Sequence, residues 1–269
     1  MQDIQPLRFS THTGLRWTPN SSYQFAANTL MLPVAIDELA AAATQLPLGF
    51  TDPAKPTLIA LTGLRTGQNL FIGGDGQWLG DYLPSVLRSY PFKLLPAAEG
   101  KWALGFDHAS GLLVESGDGQ TFFTAEGRPS DQLQTTLNFL VRLEASLRRS
   151  GEAVAILASH DLLEPWPLKV RDNDREMLVE GLLRISEEKL AKLDDATFAM
   201  LRPNGVLALA YAQLLSMANI AKLGKLARRH AQHAAQAQKH QEAVKSMFVP
   251  PEPEDEIDWA AMLAGDDHS

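Results

Sequence analysis

Residues 68–96 read QNLFIGGDGQWLGDYLPSVLRSYPFKLLP, and the fold class turns on how they are parsed. Residues 69–72 end one strand, 73–76 make a tight turn, and 77–79 begin the next strand. Asp75-Gly76 is the pair that a two-residue hairpin favours, because both central residues must reach positive φ. Asp81 is then placed to cap a short helix over 83–89, with Pro84 in its first turn and Tyr90-Pro91-Phe92 as the stop. Trp78, Tyr82, Tyr90 and Phe92 are expected to converge with Arg88 in one compact unit.

The same logic extends outward. Between Thr57 and Thr124 the runs TLIALTGL, QNLFI, QWLG, KWALGFD, GLLVES and QTFFTA read as successive strands, each bounded by Gly, Pro or Asp. Gly-Asp-Gly-Gln occurs twice, at 74–77 and 117–120. Either the unit is duplicated with two ligand-contacting loops, or two hairpins share one turn chemistry; both readings give an antiparallel sheet. Upstream, residues 23–34 have strand character, and Asp37 caps an alanine-rich helix over 38–46 that Pro47 ends.

Past Gly127-Arg128-Pro129 the character becomes helical. Ser130 or Asp131 caps a helix to about Arg149, with Leu133, Leu137, Leu140 and Leu147 as its apolar stripe. Residues 152–163 fit either helix or strand, and 176–185 read as a strand. Short helices over 186–193 and 195–201 follow. Pro203-Asn204-Gly205 opens the longest helix, with Leu207, Tyr211, Leu214, Leu215, Ala218 and Leu223 as its buried face.

The class expected is therefore α+β: an antiparallel sheet built from hairpins in the N-terminal half, packed with helices, and a helical C-terminal half with a long projecting helix. Residues 1–226 are expected to form a single compact domain and 227–248 a basic, solvent-exposed helical extension. Residues 249–269 read as an acidic flexible tail. Positions 250–269 carry seven acidic residues and no Lys or Arg. Within them Ile257, Trp259, Met262 and Leu263 line one face of a two-turn helix, the pattern of a docking motif for a protein partner. The alternative is that this patch folds back on its own domain or on the basic helix.

Composition limits the function. The formal charge of −8 argues against nucleic acid as a partner, and the basic segment 222–245 lacks aromatics for base stacking. There are no cysteines, so thiolate metal sites, disulfides and cysteine nucleophiles are excluded. The N-terminus shows no secretory signal pattern, and no stretch approaches 18 apolar residues. Those two readings favour a cytoplasmic protein without a membrane span, with surface association left open.

Motifs of catalysis are sparse. Ser159-His160-Asp161 has the residue types of a hydrolase triad, but consecutive residues cannot converge as a triad does. No metal signature is present, and His230, His233 and His240 lie on a polar helix. Nothing calls for a cofactor. The candidates for ligand or partner binding are Trp78, Tyr82, Arg88 and Tyr90, an aromatic wall with a guanidinium, together with Asp107 and His108 after a strand.

The strings Asn-Leu-Phe-Ile, Asp-Gly-x-Trp, Tyr-Leu-Pro and Arg-Ser-Tyr-Pro-Phe resemble the signature of the SapC family of bacterial proteins. The resemblance extends upstream to Leu32-Pro33-Val34 with Glu38, and to residues 61–64. Downstream it includes Leu162-Leu163-Glu164-Pro165, residues 181–190 and residues 205–219. It covers about residues 8–223. The family name comes from association with a bacterial surface layer, and the resemblance carries over no catalytic residue. It implies a non-catalytic accessory protein acting through protein contacts. The alternatives are an enzyme modifying a peptide or cell-surface component, with a site near Trp78, Arg88 and Asp107, and a self-assembling homo-oligomeric subunit.

Overall fold

The computed structural model describes residues 3–51, 54, 56–172 and 175–247. The N-terminal half contains β1 (Ile4–Pro6), α1 (Phe9–His12), β2 (Arg16–Trp17), β3 (Met31–Pro33), α2 (Leu39–Gln45), β4 (Leu48–Thr51), β5 (Thr57–Leu61), α3 (Ser85–Arg88), β6 (Phe92–Pro96), β7 (Trp102–Asp107), β8 (Leu113–Val114) and β9 (Gln120–Thr121). After it come α4 (Asp131–Ser159), β10 (Leu163–Pro165), β11 (Leu168–Asp172), β12 (Arg175–Val179), β13 (Leu182–Ile185), α5 (Glu187–Ala191), α6 (Asp195–Leu201), α7 (Val206–Ser216) and α8 (Ile220–Met247). Every ladder among these strands is antiparallel, so the fold is α+β as expected.

The main sheet has the order β10-β13-β4-β5-β3. Its middle strands are apolar on both faces. Leu48, Phe50, Leu58, Ala60 and Leu61 are all at most 1% exposed, which requires cover on each side. α2, α4 and α7 belong to this core, contributing Leu39, Ala42, Ala153, Val154, Leu157, Leu209 and Ala210. A second core gathers Trp17, Phe92, Phe106 and Phe122 under the β1-β7-β6 and β8-β2-β9 sheets, with Leu133 and Leu140 of α4. One helix therefore serves both cores. At ~1.5 Å per residue, the 29 residues of α4 give a rod roughly 43 Å long. Its first half buries Leu133 and Leu140, and its second half buries Ala153, Val154 and Leu157.

Several local expectations are corrected. The turn at 73–76 is not a two-residue one. Gly73 donates to the Gln77 carbonyl and Gly76 to the Gly73 carbonyl, leaving a three-residue loop. In that loop Gly76 has φ +78°, whereas Asp75 is not among the positive-φ residues. A Cβ at Gly76 would also sit 2.2 Å from Ser22 Oγ. The second Gly-Asp-Gly-Gln is not a hairpin at all. β8 and β9 flank β2 on opposite sides, and there Gly117 takes the positive φ. The shared tetrapeptide thus encodes two different loops. Residues 69–72 make only a single bridge, Ile72 to Trp78, and 23–34 hold one turn of 3₁₀ helix (Gln24–Ala26) before β3. α4 runs ten residues past Arg149, because its lower half has the main sheet to pack on. Residues 175–185 are two strands broken at Gly181, φ +77°.

The face of α7 is also shifted in phase. Tyr211 and Leu215 are 47% and 76% exposed, while Val206, Leu209, Ala210, Gln213 and Ser216 are buried. Two buried polar residues disguised the stripe. Gln213 accepts from the Ile185 amide at 2.9 Å and donates to the Leu48 carbonyl at 3.1 Å. Its side-chain amide fills the next rung after the Leu182–Thr51 and Leu183–Phe50 pairs, where the β4–β13 ladder ends. Ser216 Oγ accepts from the Leu48 amide at 2.9 Å.

The helical run Pro203–Lys245 contains a window long and apolar enough to cross a membrane by length and composition. One third of that window is buried, and its α7 part includes the core residues just described.

The chain divides into two units, Met1–Ala227 and Arg228–Ser269. The first contains both cores. In the second, every residue from 231 to 245 is exposed. Ile257, Trp259, Met262 and Leu263 lie outside the described residues.

Candidate functional site

The site is built on segment 34–38, which three bonds fasten to α4. Ser150 donates to the Val34 carbonyl at 3.0 Å, the Asp37 amide donates to Ser146 Oγ at 3.0 Å, and Arg149 pairs with Asp37 at 2.5 Å. Ser146 and Ser150 are 2% and 3% exposed, so the two serine bonds are made in the interior, whereas the Arg149–Asp37 pair is exposed. They fix Glu38 at the foot of α2. Asp37, expected as a cap, is instead the partner of Arg149.

Glu38 is 8% exposed and its carboxylate is fully engaged. Oε1 accepts from the Ala35 amide at 2.9 Å, and Oε2 from the Ser85 amide at 2.8 Å and the Tyr82 hydroxyl at 2.5 Å. The bond to Ser85 does the work expected of Asp81: it satisfies a free amide at the start of α3, a single turn that follows Pro84. A buried carboxylate needs such donors, because an unpaired one costs several kcal/mol or more.

Tyr82 and Arg88 build outward from Glu38. Burial, reinforced by the Glu38 carboxylate, pushes the Tyr82 hydroxyl up to about 12, so it remains a donor at neutral pH. Arg88 donates to Ser85 Oγ at 2.5 Å and to Tyr82 Oη at 3.4 Å. Its guanidinium carbon lies 5.9 Å from the Tyr82 ring centroid and 5.7 Å from that of Phe139, within cation–π reach. Arg142, one turn along α4 from Phe139, lines the same hollow of about 400 Å³. Arg88 and Arg142 are both exposed. Among the described residues Arg142 has no partner, and Arg88 Nε and Nη1 have none.

The expected aromatic unit is divided by α3. Trp78 stacks on Phe71 at 5.0 Å and donates its indole N–H to the Tyr82 carbonyl at 2.8 Å, which is packing beneath the turn. Phe92 belongs to the second core. Tyr90 stacks on Phe25 at 3.7 Å and donates to Asp107 Oδ2 at 3.2 Å. Burial, then Asp107, raises the Tyr90 hydroxyl to about 12. Arg88 and Tyr90 still meet as walls of a second hollow, about 320 Å³, with Trp17, Tyr23, Thr135, Thr136 and Phe139.

Asp107 and His108 lie on the Tyr90 side. Asp107 is 2% exposed and accepts from the Asp3 and Ala109 amides at 2.8 and 3.2 Å. His108 Nε2 lies 3.2 Å from Nε2 of the buried His12. His12 Nδ1 lies 2.7 Å from Thr11 Oγ1, 3.0 Å from the Arg8 carbonyl and 3.2 Å from the Arg8 amide, so either neutral tautomer finds a partner there. Burial lowers the His12 pKa, and His108 lowers it further.

The contributions of Ser85, Phe139 and Arg142 were not anticipated. Phe139 and Arg142 are three residues apart, on one face of α4, and this spacing was the available signal. Glu38 was visible only as part of the resemblance.

The SapC family model matches residues 7–223. No curated protein and no solved structure matches the chain. The match covers most of the first unit, including Glu38, Tyr82, Arg88 and the buried Gln213, and the chain belongs to the SapC family.

Proposed function

We propose that this protein is a non-catalytic accessory module that works through protein contacts, and that the face around Arg88, Phe139 and Arg142 is one contact surface. The observation that carries this reading is the uneven engagement of the charged groups. Glu38 and Asp107, the carboxylates an enzyme would use, are each held by two backbone amides and a tyrosine hydroxyl. The arginines beside them present N–H groups at an exposed surface lined by aromatic rings. Arginine and aromatic side chains are the groups that protein interfaces favour.

The test is cross-linked capture from native cells, comparing the full-length protein with an Arg88→Gln/Arg142→Gln variant of unchanged melting temperature. Loss of a captured protein from the variant is expected. Identical capture lists, together with saturable heat stabilisation by a metabolite, would replace this reading with an enzyme. Growth in mass beyond a dimer with concentration would favour a self-assembling subunit.

A further inference from the structure

Resting on the binding-module reading, we infer that the two hollows along α4 take an extended, acidic segment of a partner polypeptide, with a carboxylate seated between Arg88 and Arg142. The first argument is local charge. Of the ionisable groups lining the 400 Å³ hollow, Asp37 is paired with Arg149 and Glu38 is matched by one guanidinium, which leaves a surplus positive charge. This surplus sits on a chain of formal charge −8.

The second argument is donor geometry. The Arg88 guanidinium carbon sits over the Tyr82 and Phe139 rings at 5.9 and 5.7 Å, and Ser85 and Tyr82 engage Nη2. Nε and Nη1, on opposite sides of the group, keep free donors, so Nη1 can give one carboxylate oxygen a charge-assisted bond while Arg142, unpartnered among the described residues, takes the other. A phosphate is served less well. The Ser85 amide, the donor at the start of α3, is already engaged by Glu38, and α3 is only four residues long.

The third argument is extent. The second hollow shares Arg88 and Phe139 with the first, so one ligand can follow α4 from Thr135 to Ser146. Eleven residues at ~1.5 Å rise make roughly 16 Å, the length of about five residues of extended chain. Thr135, Thr136 and Asn20 supply polar groups for such a backbone.

The experiment uses full-length protein and a fluorescein-labelled hexapeptide alternating glutamate with phenylalanine, against the same peptide with glutamine. Anisotropy is expected to show at least tenfold tighter binding of the glutamate peptide. Arg88→Gln and Arg142→Gln should each weaken it about tenfold, as loss of one charge-assisted bond does. Arg148→Gln, on the same helix but paired only with Glu152, should change nothing. Equal binding of the glutamine peptide, no binding of either, or displacement by free glutarate as effectively as by unlabelled peptide overturns the inference. If the arginine variants still lose a captured protein under those outcomes, the binding module stands and only its acidic ligand is wrong.

Discussion

The carboxylate of Glu38 accepts the hydroxyl of Tyr82 at 2.5 Å, and through this pair the start of α2 is tied to the turn that carries Arg88. Glu38 is the stronger support of the two, because it also receives the Ala35 and Ser85 amides. Glu38→Ala strands both amides and is expected to cost about 2–4 kcal/mol, against about 0.5–1.5 kcal/mol for Tyr82→Phe. Urea denaturation of the two variants decides the order. Equal losses would show that the amides find other partners and that Glu38 does not organise the site.

Two tyrosines should titrate late. Tyr82 and Tyr90 have hydroxyls raised to about 12 in the folded protein, against about 10 when unfolded. The folded state therefore holds more protons in this range. Its stability from these groups is complete below pH 10 and is lost as pH rises from 10 through 12. Absorbance at alkaline pH should show a late step that shrinks in Tyr82→Phe and again in the double variant with Tyr90→Phe. A step unaffected by either substitution would assign it to other residues.

The histidine pair gives the opposite limb. His12 has a folded pKa lowered from 6.5, so the unfolded chain binds the extra proton. Stability from this group is present above about pH 6.5 and falls as pH drops below it, by at most about 1.4 kcal/mol per pH unit, down to the lowered folded value. Burial is the main cause of the penalty and His108 adds to it, while the Arg8 carbonyl, 3.0 Å from Nδ1, offsets part of it. Melting temperature between pH 7 and 5 should fall less steeply in His12→Gln than in the natural protein. Glu164, lowered by Ser186 and then Arg184, loses its contribution only below about pH 4.5, so the two windows separate. An unchanged slope would mean that His12 does not set the acid limb.

The sheet was legible where the physics was local. Turn residues around 73–76, apolar runs bounded by Gly and Pro, and the Ser130 cap of α4 all carry their signal within a few positions. What escaped depends on distant partners. Gln213 looks like a solvent residue until Leu48 and Ile185 are placed beside it, and Glu38 looks like helix surface until Ser85 arrives from 47 positions away. The identical Gly-Asp-Gly-Gln segments diverged because β2 separates β8 from β9. For several residues of the resemblance the structure supplies a physical role. Glu164 and Arg184 face each other across β10 and β13 with an ion pair of 2.8 Å, and Asn219 donates to the Ala43 carbonyl at 2.7 Å. Much of what marks this chain as a family member is thus the fastening of its core.

Gln213 makes that point testable. Gln213→Leu keeps the volume but removes both bridges of a fully buried amide, leaving the Ile185 amide and the Leu48 carbonyl without a side-chain partner. Two stranded backbone groups predict a loss of about 2–5 kcal/mol. Leu215→Ala, just over half a turn away on the same helix at 76% exposure, should stay within about 0.5 kcal/mol. If the two substitutions cost the same, Gln213 is not a rung of the sheet.

The tail motif predicts a different separation, between binding and stability. Residues 228–269 form a unit apart from the one that contains both cores, so ending the chain at Phe248 should leave the cooperative melting of the first unit unchanged. If Ile257, Trp259, Met262 and Leu263 present one apolar face to a partner, Trp259→Ala alone should remove that partner from cross-linked capture. A buried tryptophan anchor is commonly worth 2 kcal/mol or more, roughly thirtyfold in affinity. The arginine variants at 88 and 142 and the Trp259 variant then sort partners into two classes, those held by the α4 face and those held by the tail. A partner lost in both would need the two contacts together, and its capture should fall more than either single loss predicts, because linked contacts multiply their affinities. A truncated protein that keeps every partner would refute the tail contact while leaving the α4 face untouched.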